Sequence, residues 1–130
     1  MIEFSFDTDS MLLFLAINTH VQNFKSYMVD QQAVLAGNHF KAIVHEIRCV
    51  SVKLDSLLIR LSGGNHSVRL KAFSFEDSLL SMIEQDLQKL DETQCVDTDT
   101  LLCLYRIGGC FNALSLPIFL AIAKTRLEKI

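Results

Sequence analysis

The residues best suited to chemistry are a histidine and a cysteine one helical turn apart. The sequence His45-Glu46 begins like the H-E-x-x-H zinc-binding motif, but position 49 holds Cys49. On a helix, His45 and Cys49 share a face and could supply two metal ligands. A structural zinc site needs four ligands, and no Cys-x-x-Cys or second pair completes the set. We therefore expect no metal site and no cofactor.

Two enzymatic alternatives use the same side chains. A Cys–His catalytic pair can form from residues distant in sequence. A phosphotransfer histidine on a helical bundle could be His20, His39 or His45, and His45 lies opposite the apolar stripe of its helix. Phosphotransfer domains place a Lys or Arg and a small residue just after the histidine, and neither His20 nor His45 is followed by that pattern. The sequence also lacks G-x-S-x-G and an evident acid–base carboxylate pair, so we predict that the chain is not an enzyme.

The segment Leu61–Asn65 reads LSGGN, which resembles the signature loop of ABC-type ATPases. Those enzymes also need a phosphate-binding G-x-x-x-x-G-K-[ST] loop, and this sequence has none. Gly63 and Gly64 are therefore expected to end a helix. No motif in the sequence identifies a protein family.

Charge is distributed unevenly along the chain. The 130 residues include 12 basic and 15 acidic side chains, for a formal net charge of −3. Residues 41–71 carry six bases and two acids, whereas residues 76–99 carry eight acids and one base. A protein that binds nucleic acid directly should have a basic excess, so we expect none here. The acidic segment favours a basic protein as partner.

The acids of this segment share one face of a predicted helix. At 100° per residue, Asp77, Glu84 and Asp91 fall within about 40° of one another, opposite the apolar stripe. We call these three residues the acidic ridge. A solvated face with helix-cap acids is the alternative interpretation. The predicted partner-binding residues are the ridge and the acids that follow it: Asp77, Glu84, Asp91, Glu92, Asp97 and Asp99.

Two further features indicate buried charge and exposed apolar surface. Asp86 falls on the apolar side of its helix, and an unpaired buried carboxylate is costly. It should therefore contact an arginine, a backbone donor or another protein. Val52 and Ile59 form an apolar pair off the main stripe of their helix, and the mean hydropathy is +0.30. Exposed apolar area marks interfaces, so the chain could form a homodimer.

Apolar residues at helical spacing predict one all-α domain over residues 1–130, with four to five antiparallel helices in a bundle. Capping residues, glycines and Pro117 set the expected boundaries. Gly108-Gly109 is expected to interrupt the fourth helix, and Pro117 to open or kink a fifth. Alternation predicts short strands near 2–6 and 67–72. The helices are predicted from about 10 to 36, 39 to 61, 74 to 92, 98 to 116, and 117 to the C-terminus.

Cysteine usage and the N-terminus predict a cytoplasmic location. The four cysteines lie in apolar or helical context without a close-spaced framework, and a domain of this size does not need disulfides. The acidic N-terminal residues do not suit a signal peptide. Residues 107–123 are uncharged, but a spanning helix needs about 20 apolar residues, and Asn112 and Pro117 lie within this run. A core helix is therefore predicted there, and not a membrane span.

These observations predict a non-enzymatic, acidic protein-binding module. The most concrete role is that of an immunity protein or antitoxin that neutralises a basic, nuclease-type toxin, because nucleases bind phosphates with basic surfaces. A chaperone or adaptor for a secreted or assembling protein would use the same features. A phosphotransfer protein or another small helical enzyme is the third alternative.

Overall fold

The computed structural model describes the backbone of residues 8–128 and the side chains as far as Ala123. Throughout this part of the chain the regular structure is helical, so the all-α class is confirmed. The predicted strand near 2–6 lies outside the described residues. The helices are α1 (Thr8–Met28), α2 (Gln31–Leu35), α3 (Phe40–Leu61), α4 (His66–Ala72), α5 (Ser74–Asp91) and α6 (Thr98–Glu128).

The four long helices form an antiparallel bundle in the order α1, α3, α5, α6. Each packs against the next, and α6 packs back against α1, so α3 and α6 occupy one diagonal and α1 and α5 the other. The short helices α2 and α4 lie in the connections. Helix α1 is antiparallel to both of its neighbours. Its contacting pairs with α3 are Asp9–Arg60 and His20–Glu46, and those with α6 are Phe14–Phe119 and Phe24–Phe111.

The core follows the predicted stripes of the long helices. The stripe from Phe14 to Met28 is buried on α1, and the stripe from Ile43 to Leu58 is buried on α3. Burying a side chain of this size contributes about 1.5–3 kcal/mol, so these stripes supply most of the driving force for the bundle. The apolar residues with the lowest exposure are Ile43, Ile47, Leu57, Leu58, Ile83, Leu104 and Ile107.

The first predicted helix is divided into two. Helix α1 ends at Met28, and Asp30 begins α2 by accepting a hydrogen bond from the backbone N–H of Ala33 at 3.1 Å. An aspartate at this position satisfies a backbone donor that a continuous helix would have used itself. The break changes the register, so Val34 is buried at 1% exposure while Leu35 is 42% exposed. Leu35 lies seven residues after Met28 but does not continue the buried stripe of α1.

The predicted strand near 67–72 is helix α4. Gly63 and Gly64 end α3 with φ values of 62° and 76°, which glycine adopts readily. The Asn65 side chain then accepts a hydrogen bond from the backbone N–H of Val68 at 3.1 Å and caps the new helix. Alternation alone misled the prediction, because the described residues offer this segment no neighbouring strand.

Helix α6 runs without interruption through both predicted break points. Pro117 lies inside the helix, and the helix continues through the pair Gly108-Gly109. A Cβ atom at position 108 would lie 3.3 Å from Cε1 of Phe24. Glycine at that position therefore permits close packing of α6 on α1, and this packing offsets its low helix propensity. The prediction of a separate last helix was wrong.

Candidate protein-binding surfaces

The C-terminal residue of the acidic ridge, Asp91, contacts α3. Nη2 of Arg48 on α3 is 2.6 Å from Oδ1 of Asp91, and both side chains are about half exposed. Ion pairs of such exposure contribute about 0–1 kcal/mol. Other exposed side chains of α5 include the uncharged Gln85 and the basic Lys89. The helical wheel predicted the ridge outside the apolar stripe of its own helix, but it did not reveal the arginine beside Asp91.

Asp77 belongs to a more buried cluster centred on Arg69 of α4. The Arg69 guanidinium is 12% exposed; its Nη1 lies 2.8 Å from Asp55 on α3, and its Nη2 lies 2.7 Å from Asp77 on α5. Burial lowers the pKa of Arg69, and the hydrogen bonds to the two carboxylates more than offset this effect, so its pKa lies above the ordinary value. Asp77 therefore binds the arginine that links α3, α4 and α5, and it offers little to an external partner.

The remaining candidate carboxylates are exposed. Glu84 on the ridge and Glu92 after α5 make no ion pair with the described side chains, and neither does Asp99 in the first turn of α6. Asp97 precedes α6, and its Oδ1 accepts hydrogen bonds from the backbone N–H and the hydroxyl of Thr100, each at 2.9 Å. The backbone hydrogen bond is the main cause that lowers the pKa of Asp97.

Four of these carboxylates lie close in sequence, at the end of α5 and the start of α6. We call Asp91, Glu92, Asp97 and Asp99 the acidic corner. The sequence of residues 91–99 contains no basic side chain. An open groove of about 540 Å³ lies between the end of α5 and the start of α6, and Asp97 and Asp99 are part of its lining. Lys89 and Arg106 line the same groove, whereas Asp91 and Glu92 lie outside it. The corner is exposed, and its loop side borders the groove.

Asp86 has the arginine partner that its position required. Its side chain is 6% exposed and receives two hydrogen bonds from Arg106, Nε to Oδ2 at 2.7 Å and Nη2 to Oδ1 at 2.6 Å. Nζ of Lys89 lies 3.8 Å from the same carboxylate. These hydrogen bonds raise the pKa of Arg106. The expectation that Asp86 contacts an arginine is confirmed, and the pair is structural.

The histidines singled out in the sequence lie in three separate environments. Nδ1 of His20 is 2.6 Å from Oε2 of Glu46, while His39 adopts a φ of 63° and its ring stacks near Tyr27. His45 is exposed, and its Nε2 lies 3.5 Å from the Cys49 sulfur. Among residues 8–123, no group of three His, Cys, Asp or Glu side chains could hold a metal ion.

The cysteines are all free thiols. Cys95 is exposed and Cys49 is intermediate, whereas Cys103 and Cys110 are buried. Burial is the largest cause that raises the pKa of both Cys103 and Cys110, and the nearby Asp86 charge adds to it. A raised pKa leaves these thiols protonated and poorly nucleophilic at neutral pH.

A small cavity of about 60 Å³ lies between α1 and α6. Its walls are mainly core side chains, including Phe14, Val21 and Phe111, and Lys25 lies at its edge. An apolar cavity of about 150 Å³ accommodates benzene. The cavity therefore has no room for a ligand of that size.

A surface that the sequence interpretation missed is the outer face of α6. We use this name for the residues at heptad-like spacing that point away from the core: Leu102, Tyr105, Gly109, Ala113, Leu116 and Leu120. The leucines among them are 54–63% exposed and Tyr105 is 43% exposed. On α3, the predicted apolar pair Val52 and Ile59 is exposed at 62% and 45%.

Comparison of the chain with protein-family models, with curated proteins and with solved structures finds no match in any of the three.

Proposed function

We propose that the chain is a non-enzymatic module that binds a basic protein, with the acidic corner as its docking surface. The observation that supports this proposal is the concentration of four exposed carboxylates in residues 91–99, a segment that has no basic residue. Two of them, Asp97 and Asp99, line an open groove. A cytoplasmic location, inferred from the cysteines, is part of the same proposal.

Ion pairs within the bundle reduce the number of predicted partner-binding residues. Asp77 is excluded because its partner Arg69 is buried and holds α3, α4 and α5 together. Asp91 remains in the set because its pair with Arg48 is exposed, and exchanging such a pair for an external arginine costs little. Glu92 and Asp99 already face solvent and need no rearrangement.

The function of this class that we favour is neutralisation of a nuclease-type toxin, as an immunity protein or antitoxin. A nuclease presents a basic surface to bind phosphates, and an acidic inhibitor covers that surface while its charge accelerates encounter. A chaperone or adaptor for a basic client is the alternative within the same class of binding proteins.

The experiment begins with capture of the partner by the tagged chain in its native cells and identification by mass spectrometry. Association rates are then measured at about 50 and 300 mM salt, over which the screening length shortens about 2.4-fold. The double variant Glu92→Gln/Asp99→Asn should associate more slowly than wild type at low salt, and the difference should shrink at high salt. Loss of nuclease activity on binding would identify an immunity protein, whereas retained activity would favour the chaperone.

A matched control changes the net charge equally on a distant surface. Gln22→Lys/Ser26→Lys on α1 raises the net charge by two, as the corner variant does by removing two carboxylates. Helix α1 lies diagonally opposite α5. If the control slows association as much as the corner variant, net charge alone governs encounter. If neither variant changes the rate, the acidic corner is only a solvated surface.

A further inference from the structure

Helix α6 carries apolar side chains on two opposite faces, although only one of these faces is covered. Its inner face packs in the core, where Leu104, Ile107 and Ile118 are at most 2% exposed. Its outer face carries leucines that are 54–63% exposed, and residues 107–123 contain no charge. An apolar face of a helix normally packs against another element. The outer face of α6 is therefore a surface that requires a partner.

Gly109, at the centre of this face, has no explanation within the chain. A Cβ atom at position 109 would meet no heavy atom within 4 Å, whereas one at Gly108 would press on Phe24. Glycine inside a helix is unfavourable by about 1 kcal/mol relative to alanine, so its presence indicates another constraint. With Ala113 one turn later, Gly109 forms a shallow notch between the larger side chains on either side.

We propose that the outer face of α6 binds a second copy of this chain, with the two α6 helices crossing antiparallel at Gly109. In a two-fold arrangement centred on this residue, position i on one copy faces position 218 minus i on the other. Leu102 then meets Leu116 of the partner subunit, and Tyr105 meets the partner's Ala113. The two leucines then pack against each other and the tyrosine faces a small side chain, so the face complements itself.

The available area is adequate for a stable dimer. Taking about 200 Å² for a fully exposed side chain of this size, the exposed apolar side chains of the face present about 500 Å² per copy. The small and polar residues between them bring the face close to the ~800 Å² per partner of standard interfaces. The side chains counted are Leu102, Tyr105, Leu116 and Leu120 of the outer face and the neighbouring Phe119, at 43–63% exposure.

A membrane is the competing occupant. The segment Thr98–Ala123 is long and apolar enough to cross a bilayer, with a mean hydropathy of 1.5 over the best window. Crossing would require α6 to leave the bundle and would expose the core stripes of α1, α3 and α5 to water. A second copy covers the outer face and leaves the core intact, so we favour it. This proposal depends on α6 alone and is independent of the acidic corner.

Sedimentation equilibrium over about 1–100 µM chain tests the proposal, since a dimer population depends on concentration. Wild type should sediment at twice its 14.7 kDa mass at the upper end of this range. Gly109→Glu should raise the dissociation constant at least tenfold, because it places two like charges across the axis. Leu116→Glu should have a similar effect. Both positions are open in the single chain, so circular dichroism should remain helical.

Val52→Glu is the matched control, because Val52 is as exposed as Leu116 and lies on α3, diagonally opposite α6. It should change the dissociation constant less than twofold. The proposal is overturned if wild type is monomeric at about 100 µM, or if Val52→Glu dissociates the dimer and the two α6 variants do not. Monomeric wild type that cosediments with phosphatidylcholine vesicles would assign the face to a membrane. If Leu116→Glu does not fold, Gly109→Glu decides the outcome alone.

Discussion

The ion pair between Asp86 and Arg106 should be strongly asymmetric in its response to mutation. Asp86 is 6% exposed at its side chain, whereas Arg106 is 50% exposed. Replacing Arg106 leaves a carboxylate buried with only Lys89 nearby, at 3.8 Å. Replacing Asp86 leaves a guanidinium that can turn into water. We therefore expect Arg106→Met to destabilise the bundle more than Asp86→Leu.

The magnitude follows from the burial of each partner. Removing one member of a buried pair costs about 3–5 kcal/mol, and the half-exposed Arg106 with the remaining Lys89 reduces this to about 2–3 kcal/mol for Arg106→Met. Asp86→Leu should cost about 1 kcal/mol or less, since no buried charge remains unpaired. The double variant should lie within about 1 kcal/mol of wild type, because two apolar side chains replace the pair.

Urea unfolding followed by circular dichroism measures these differences, as the chain has no tryptophan. All variants are compared at one low concentration, so that self-association contributes equally. In thermal unfolding, Arg106→Met should lower Tm by about 10 °C, from about 3–5 °C per kcal/mol for a domain of this size. An Asp86→Leu variant less stable than Arg106→Met would refute the reasoning, as would a double variant whose loss equals the sum of the single losses.

Four further predictions concern the core, α6 and the thiols. Leu54→Asp should abolish cooperative thermal unfolding, because Leu54 is 1% exposed and offers an aspartate no partner; an unchanged Tm would contradict this. Gly109→Ala should raise the free energy of unfolding of dilute protein by about 0.5–1 kcal/mol. The Gly108→Ala variant should be less stable than Gly109→Ala, because its added Cβ presses on Phe24. The pKa of Asp97 is lowered in the folded chain. The stabilisation from its carboxylate is therefore present above about pH 4 and is lost as the pH falls through the lowered pKa. In acid unfolding experiments, Asp97→Asn should make the stability depend less on pH in this range. Cys95 should react first with a thiol reagent in native protein, and denatured protein should react with four equivalents without prior reduction.

Elements with a long apolar stripe and clear end signals were predictable almost to the residue. Helix α3 was expected over 39–61 and is observed as Phe40–Leu61, and α5 was expected over 74–92 and is observed as Ser74–Asp91. Their stripes continue for several turns, so one misplaced residue does not change the pattern. The short helices α2 and α4 were missed because each depends on a single capping side chain, Asp30 or Asn65.

The candidate site was less predictable because charge pairing depends on residues distant in sequence. Asp91 pairs with Arg48, which lies 43 positions earlier, and a helical wheel describes a residue only relative to its own helix. The need of Asp86 for a partner followed from its place in the apolar stripe, but the choice of Arg106 depended on the packing of α5 against α6. The exposed face of α6 was obscured because its apolar residues were all assigned to the core.

The cluster around Arg69 has a consequence for the order in which the molecule opens. Helix α4 has no buried residue of its own, and an isolated seven-residue helix is unstable in water. Without Arg69, the amide protons of α4 should exchange with solvent through local fraying of that helix. Opening α4 separates a largely buried guanidinium from carboxylates on both α3 and α5. The amide protons of the connection between these helices should therefore exchange with solvent only when the bundle opens, as one cooperative unit. The connection should also resist proteolysis for as long as the bundle is folded.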